Sequence, residues 1–275
     1  MIALPSAWTG IGPASILVGM EASGTIRDAF RARGFDAWSC DLRECEADPA
    51  YHFTGDVFAV LGLGWRLAIF HPDCTYLTGS GLHWNHRVPG RHACTLYGLN
   101  TVRRLMVCTI PMVAIENPKG AIATNIRPAD QRIQPHDFGE DASKDTRLWL
   151  RGLPKLRPTG RRPGRIVAAD PADLFGGGTE RWSNQADDGQ NRLGETRDRW
   201  RLRSLTYPGV AAAMAHQWGD WLESMVPGAR EIACTSHNEN GPGGMDTTEA
   251  AVPGADAGTG TIYAAPPIRS TGAVR

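Results

Sequence analysis

Short apolar segments alternate with amphipathic ones along the first 150 residues. Residues 16–18, 35–40, 65–70 and 111–115 are predominantly apolar segments that are interpreted as strands. Between them, apolar residues recur at the three- and four-residue spacing of helices. Strands that alternate with helices predict an α/β fold built on a doubly wound, mostly parallel sheet.

Three helices are expected around this sheet. The first is predicted to begin after Ser23 as its N-cap and to end at Gly34. The second has its apolar side on Leu96, Leu99, Val102 and Met106. The last is expected to pack on the sheet through Val210, Ala213, Met214, Trp218, Trp221, Leu222 and Met225.

Polar side chains follow the predicted strands at the point where each strand ends. Glu21 comes shortly after the first strand and Asp41 after the second. Cys74 and Glu116 follow later strands. Ligands of doubly wound sheets bind outside the carboxyl ends of the strands, so we expect these side chains to converge there.

The turn after the first strand is typical of a nucleotide-type cofactor site. Gly19 and Gly24 have no side chain and would let the backbone approach a ligand. The N-terminus of the following helix would point at that ligand. Asp41 lies 22 residues after Gly19, near the spacing of ribose-binding acids in dinucleotide folds. Glu21 makes the turn a poor phosphate cradle and favours a nucleoside cofactor with a cationic amino group, such as S-adenosylmethionine. The alternative is an ordinary strand-turn-helix unit with a solvated Glu21.

Cys74 and Glu116 are the candidate reactive pair. Cys74 lies in a loop after a buried strand, where helix termini and cations would give it thiolate character. Glu116 ends an apolar strand, and a partly desolvated carboxyl there is expected to stay protonated and act as an acid. The alternatives are a small buried cysteine and an ordinary surface carboxylate.

The charges of the 275 residues balance, with 29 Lys and Arg against 29 Asp and Glu. This excludes a uniformly basic nucleic-acid coat, although residues 144–203 carry 14 basic and 8 acidic residues. No apolar run reaches the length of about 18 residues that a membrane helix needs, so we expect no membrane partner. Six irregularly spaced cysteines favour free thiols in a reducing compartment, and hence a cytoplasmic location.

Composition and pattern divide the chain into four predicted parts. Residues 1–160 form a catalytic, cofactor-binding core, and residues 161–205 form a short arginine-rich insert. Residues 206–226 are a helix that returns to the core. Residues 227–275 are rich in glycine and proline, and are predicted to be a disordered tail without chemistry of its own.

Seven segments, in order, carry a resemblance to one enzyme family. They are residues 17–24 (LVGMEASG), 39–41 (SCD), 55–56 (GD), 71–74 (HPDC), 116–118 (ENP), 144–150 (KDTRLWL) and 207–210 (YPGV). In this order they resemble the motifs of the DNA (cytosine-5) methyltransferases, in a short form similar to proteins of phages and prophages. The resemblance covers roughly residues 16–221.

The resemblance implies a Rossmann-like sheet of the methyltransferase type, S-adenosylmethionine as cofactor, DNA as partner, and a bacterial or phage-infected cytoplasm. It implies that the Cys74 thiolate attacks C6 of a cytosine flipped out of its stack. Glu116 would hold N3 and the exocyclic amine and protonate N3. C5 then takes the methyl group, a base removes the C5 proton, and Cys74 leaves. Arg147 would help to fix the base or its phosphate.

The resemblance also implies a cofactor site after the first three strands. Glu21 would contact the methionine amine, Asp41 the ribose and Asp56 the adenine edge. The full set of implied cofactor-binding residues is Gly19, Glu21, Ser23, Gly24, Asp41, Asp56 and Pro72.

One departure from the family's motif bears directly on the chemistry. Asp73 precedes the cysteine where the family usually has proline, and a carboxylate beside a thiol raises the thiol pKa. His71 or Asp73 would adjust the pKa of the Cys74 thiol. Two alternatives to cytosine C5 methylation stay open: a cofactor- or DNA-binding relic without turnover, and a related C5-pyrimidine modification on an unusual substrate such as single-stranded DNA.

The arginine-rich insert is the candidate DNA-contact region. Its arginines would neutralise phosphates, and its amides would pair with base edges. The candidate contacts are Arg161, Arg162, Arg181, Asn184 and Gln185. The alternative is a solvated loop whose arginines pair with its own carboxylates. Because the insert is short, we expect salt-sensitive binding with limited sequence preference.

A histidine-rich segment follows the cysteine loop. His83, His86, His92 and Cys94 have spacings that match no standard ligand pattern, so we expect no metal site. We expect these residues to form a loop over the flipped base or a DNA-facing surface. Nothing in the sequence indicates the oligomeric state.

Overall fold

A central sheet organises the chain from residue 16 to residue 151. The computed structural model describes residues 2, 4–12, 14–167, 178–194 and 203–226. Within these ranges the strands of the sheet are β1 (Ile16–Gly19), β2 (Ala37–Asp41), β3 (His52–Thr54), β4 (Leu67–Phe70), β5 (Met112–Pro118), β6 (Gln131–Ile133) and β7 (Thr146–Arg151).

The strand order across the sheet is β3-β2-β1-β4-β5-β7-β6. All pairs of adjacent strands among β1 to β5 are parallel. β7 runs antiparallel to both β5 and β6. The order reverses between β1 and β4, at the switch point where doubly wound sheets bind ligands. The predicted α/β class with a doubly wound, mostly parallel sheet is confirmed.

Helices cover both faces of this sheet. Ile16 and Val18 of β1 pack in an apolar cluster with the helices Thr25–Arg31 and Pro208–Met225. Leu17 packs in a second cluster, on the other face, with the helix Arg91–Met106. Coverage on both faces is why the central strands are predominantly apolar. The helices are α1 (Thr25–Arg31), α2 (Gly79–Leu82), α3 (Arg91–Met106), α4 (Ala121–Asn125) and α5 (Pro208–Met225). Short 3₁₀ turns occupy Pro49–Tyr51, Val57–Ala59, Leu61–Leu63, His83–His86 and Pro135–Asp137.

Three details of the predicted helices are wrong. The N-cap of α1 is Gly24, with φ of 74°, and not Ser23. The Ser23 hydroxyl instead donates to Glu21, at 2.6 Å. Leu96 is 51% exposed, because the buried side of α3 passes through Thr95 and Leu99. Similarly, two of the residues of α5 predicted to pack on the sheet are partly exposed, Trp221 at 37% and Met225 at 53%.

The insert forms a small hairpin beside the core. Strands β8 (Arg165–Val167) and β9 (Thr179–Arg181) pair antiparallel in a sheet of their own. The Trp182 ring stacks on His136 at a centroid distance of 3.9 Å, which joins the insert to the core. The predicted division of the chain into four parts stays a prediction. The predicted tail, residues 227–275, lies outside the described residues.

Candidate active site

Strands β1, β4 and β5 end side by side at one edge of the sheet. The N–H of His71, directly after β4, donates to the Gly19 carbonyl at 3.0 Å. At the end of β5, Asn117 Nδ2 donates to the Pro72 carbonyl at 2.8 Å. The turn after β1, the cysteine loop and the end of β5 therefore converge, as the strand pattern predicts.

Glu21 is buried in the turn after β1, with 6% of its surface exposed. Its Oε1 accepts hydrogen bonds from the Ser23 hydroxyl at 2.6 Å and the Ile26 N–H at 3.3 Å. Its Oε2 is buried and has no hydrogen-bond partner within the described part of the chain. Because an unpaired buried carboxylate oxygen is costly, this atom is suited to accept a hydrogen bond from a cationic ligand.

The two glycines of the cofactor turn are explained by packing. A Cβ at Gly19 would lie 2.6 Å from the Phe70 ring and 2.8 Å from Val57. At Gly24, φ is 74° and a Cβ would lie 2.7 Å from Arg27 Nη2. Neither glycine by itself therefore indicates a ligand.

Asp41 is the last residue of β2. Asp56 lies two residues after the end of β3 and caps the 3₁₀ turn Val57–Ala59. Asp41 Oδ1 accepts hydrogen bonds from the Arg43 N–H at 2.9 Å and Nε at 3.1 Å. Asp56 Oδ1 accepts from the Phe58 N–H at 3.0 Å. The Gly55 N–H donates to the Asp41 carbonyl at 2.8 Å and holds the two segments together. A ribose at Asp41 would therefore have to share this carboxylate with Arg43.

Cys74 begins a tight turn in the loop after β4. Its carbonyl accepts the N–H groups of Leu77 and Thr78 and the Thr78 hydroxyl, at 3.0, 2.9 and 2.9 Å. Asp73 Oδ1 accepts the N–H and the hydroxyl of Thr75, at 2.8 and 2.6 Å. Asp73 therefore stabilises the turn that presents the thiol.

The electrostatic surroundings keep a proton on Cys74. Burial raises the pKa of the thiol, and the carboxylates of Asp73 and Glu116 raise it further. A hydrogen bond from Thr78 and the charge of Lys144 act in the opposite direction, but the net direction is upward. Desolvation and two carboxylates therefore oppose the expected thiolate character of Cys74.

Glu116 is ionised, contrary to the expectation of a protonated acid. Its Oε2 lies 3.0 Å from His71 Nδ1. Burial by itself would raise the pKa of Glu116, but the charge of Lys144 and hydrogen bonds from His71 and Thr146 lower it to about 2. The expectation fails because these three partners come from other parts of the chain.

Arg147 faces away from Glu116. In the β5–β7 pairing, Leu148 lies opposite Glu116, and Arg147 lies opposite Asn117. Side chains alternate along a strand, so Arg147 is on the other face of the sheet. Its Nε forms an ion pair with Asp145 Oδ1 at 2.8 Å.

Lys144 is the functional candidate that sequence reasoning left out of the site. Its Nζ donates to the Leu205 carbonyl at 3.3 Å, and its charge lowers the pKa of both Glu116 and Cys74. The sequence feature that could have identified Lys144 is its position at the start of the segment 144–150. It lines a cavity of about 20 Å³ with His71, Glu116, Ile133, Pro135, Thr146, Thr206, Tyr207, Val210 and Met214. This volume holds about one water molecule, so a base reaches Glu116 from this side only if the cavity opens.

The candidate arginines of the insert already have partners. Arg161 pairs with Glu180, and Arg162 lies 3.8 Å from Asp141. Arg181 Nε donates to the Asp187 carbonyl at 3.0 Å. These contacts agree with the alternative of an internally paired loop, although the side chains of Arg161 and Arg162 stay half exposed.

The candidate amides of the insert are used within the protein. Asn184 accepts from the Ser143 N–H at 2.9 Å and donates to its carbonyl at 2.8 Å. Gln185 accepts from the Trp182 N–H at 3.4 Å and donates to the Gly189 carbonyl at 3.2 Å. Both atoms of each amide are therefore occupied, so base-edge pairing by Asn184 or Gln185 would require these bonds to break.

No group of three or more potential metal ligands occurs in residues 2, 4–12, 14–167, 178–194 and 203–226. In the same ranges, Cys40, Cys45, Cys74, Cys94 and Cys108 are free thiols. No helix within them is long and apolar enough to cross a membrane.

Comparison with known proteins finds similarity in structure and none in sequence. No protein-family profile and no curated protein matches the chain. A methyltransferase of Entamoeba histolytica matches with a TM-score of 0.42 and 12% identity, over 78% of this chain and 99% of its own. A prophage-encoded E. coli protein described as a DNA modification methyltransferase matches with a TM-score of 0.34 and 12% identity, over 50% of this chain and 46% of its own.

Proposed function

We propose that this protein is an S-adenosylmethionine-dependent methyltransferase that acts on C5 of cytosine in DNA. The observation that carries the proposal is the hydrogen bond of 2.8 Å from Asn117 to the Pro72 carbonyl. It fastens the strand end that holds Glu116 to the loop that holds Cys74. A thiol nucleophile and a carboxylate for the ring nitrogen are the two groups that covalent chemistry on a pyrimidine needs. The ordered resemblance of seven sequence segments supports the same activity.

The proposed cofactor site is the edge formed by the turns after β1, β2 and β3. The buried Glu21 Oε2, which has no donor among the described residues, fits a cationic amine. Asp41 and Asp56 would accept hydrogen bonds from ribose hydroxyls and the adenine edge. When bound, S-adenosylmethionine would supply an electrophilic methyl group.

Cys74 would carry the covalent part of the reaction. Its thiol would give its proton to a solvent base, the sulfur would form a bond to C6 of the cytosine, and the electron pair of the C5–C6 double bond would make C5 nucleophilic. C5 would take the methyl group, with S-adenosylhomocysteine as the leaving product. A solvent base would then remove the C5 proton, the C6–S bond would break, and the double bond would re-form. Lys144 favours the thiolate by its charge.

Glu116 would position the base from the neighbouring strand. As a carboxylate it accepts a hydrogen bond from the exocyclic amine of cytosine. N3 gains basicity as the sulfur adds, and it then needs a proton that the ionised Glu116 lacks. His71, which is bonded to the same carboxylate, holds it in place, and the proton for N3 would reach Glu116 from solvent.

The raised pKa of the Cys74 thiol favours a second candidate function. A protein with this fold and a protonated thiol would bind cofactor or DNA without turnover.

Incubation with tritiated S-adenosylmethionine and cytosine-containing DNA separates the two candidates. The proposed function predicts label in DNA from the wild-type protein and none from Cys74→Ser. Cofactor binding in calorimetry without label transfer would support the binding protein and overturn the enzyme.

A further inference from the structure

The segment that follows the cysteine loop contains no acidic residue. Between Asp73 and Glu116 lie 42 residues with four arginines, three histidines and neither Asp nor Glu. The chain as a whole has equal numbers of basic and acidic residues. This segment therefore carries an excess of positive charge, and its first two arginines, Arg87 and Arg91, follow the proposed nucleophile in the sequence.

The first part of this segment exposes aromatic and apolar side chains. Residues 83–97 form what we call the 83–97 surface. It consists of the 3₁₀ turn His83–His86, the loop of residues 87–90 and the first turns of α3. Trp84 is 44% exposed, Val88 45% and Tyr97 74%. Large exposed apolar side chains grouped in this way are typical of interaction sites.

The arginines of the 83–97 surface contact aromatic rings and not carboxylates. Arg87 lies 5.6 Å from the Trp84 ring centroid, and Arg91 lies 4.9 Å from that of Tyr76. Within the described ranges, no carboxylate lies within ion-pair distance of either guanidinium. In the insert, by contrast, Arg165 lies 2.6 Å from Asp187. Arg87, which is exposed, is therefore available to an external anion.

The 83–97 surface is fastened to the turn that presents Cys74. Arg91 Nη2 donates to the Thr75 carbonyl at 3.2 Å. The Thr95 hydroxyl donates to the Tyr76 carbonyl at 2.9 Å. A strand bound along this surface would consequently pass close to the nucleophile.

We propose that the 83–97 surface is a stacking platform for single-stranded DNA. Exposed aromatic rings beside unpaired cations bind the faces of bases and the neighbouring phosphates. A duplex conceals the faces of its bases inside the stack, so Trp84 and Tyr97 are usable only by an unpaired strand. The inference rests on the proposed function and narrows its substrate to DNA with unpaired bases.

Fluorescence anisotropy of the full-length protein, without cofactor, tests this platform. The probe is a labelled cytosine-containing strand of about 12 nucleotides, alone or annealed to its complement. We expect the single strand to bind more tightly than the duplex. Trp84→Ala should weaken single-strand binding about fivefold or more, whereas Trp84→Phe, which keeps a stacking ring, should restore most of it.

The charge contribution is tested with a matched pair of arginine variants. Arg87→Ala should reduce the slope of log affinity against log salt by about 0.7, the value for one phosphate contact on a single strand. Arg157→Ala removes the same charge from an exposed site in the loop after β7, and it should leave the slope unchanged. Circular dichroism spectra matching the wild type confirm that each variant is folded.

Three results of the binding measurements would overturn the platform. They are tighter binding of the duplex, unchanged binding by Trp84→Ala, and a self-association that Trp84→Ala abolishes while no oligonucleotide binds. The last result would assign the surface to a second copy of the chain. Because binding is measured without turnover, Trp84-dependent binding without methyl transfer overturns the proposed function alone. Methyl transfer to duplex DNA that Trp84→Ala leaves unchanged overturns only the platform.

Discussion

His71 Nδ1 lies 3.0 Å from Glu116 Oε2, and this contact joins the residue after β4 to the partly buried carboxylate of β5. Together with Lys144 and Thr146, it lowers the pKa of Glu116 to about 2 against the effect of burial. In the neighbouring loop, burial and two carboxylates raise the pKa of Cys74. At neutral pH the site therefore has a proton on the sulfur and none on the carboxylate.

The ionised Glu116 should make stability fall in acid. Its pKa is about 2 in the folded protein and 4.5 in its ordinary state, so its contribution is present above pH 4.5 and is lost as pH falls towards 2. A difference of this size corresponds to about 3 kcal/mol in the free energy of unfolding. Urea unfolding of the wild type and Glu116→Gln between pH 2 and 7 measures it. The stability difference should shrink below pH 4.5, and a difference independent of pH would contradict the assignment.

Loss of Lys144 should make the Cys74 thiol harder to ionise. The charge of Lys144 lowers the thiol pKa, so Lys144→Met should move the pH midpoint of Cys74 alkylation upward. Mass spectrometry of the Cys74 peptide after timed iodoacetamide treatment separates this thiol from the other cysteines. Lys155→Met, on an exposed loop after β7, removes the same charge and should leave the midpoint in place. Equal midpoints for Lys144→Met and Lys155→Met would show that Lys144 does not act on the thiol.

Neutralising Asp73 should have the opposite effect. Its carboxylate raises the pKa of Cys74, so Asp73→Asn should move the alkylation midpoint to lower pH. The asparagine oxygen can still accept the Thr75 N–H, so the turn should persist. A midpoint unchanged from wild type, with the turn intact, would refute the electrostatic role of Asp73.

Packing at the end of β1 should reject any side chain. A Cβ at Gly19 would lie 2.6 Å from the Phe70 ring, so Gly19→Ala should destabilise the fold by about 1–3 kcal/mol through overpacking. Gly62 has no atom within 4 Å of its Cβ position and provides the matched control. Urea unfolding of both alanine variants makes the comparison. Equal stabilities would mean that the sheet edge yields to accommodate the methyl group.

The central strands could be predicted from sequence because both faces of the sheet are covered. β1 and β4 are continuous apolar runs, and β2 and β5 are predominantly apolar, for that reason. β3 and β6 have only three residues each and include polar ones, such as His52 and Gln131, so the apolar pattern does not reveal them.

The position of the candidate site could be predicted, but its protonation states could not. Cys74 and Glu116 follow strands that end at one edge, which is a local property of the sequence. Their pKa values depend on Lys144, which precedes β7 in the sequence yet acts across the sheet on both groups. The same limit applies to Asn184, whose amide is occupied by Ser143, 41 residues away.

A covalent adduct with 5-fluorocytosine tests the central claim most directly. Fluorine at C5 cannot be removed as the C5 proton is, so the C6–S bond formed by Cys74 should persist. Intact-mass spectrometry after incubation with S-adenosylmethionine and a 5-fluorocytosine oligonucleotide should show protein plus one oligonucleotide, with the link on the Cys74 peptide and none in Cys74→Ser. Absence of the adduct from wild-type protein that binds both the cofactor and the oligonucleotide would contradict the account.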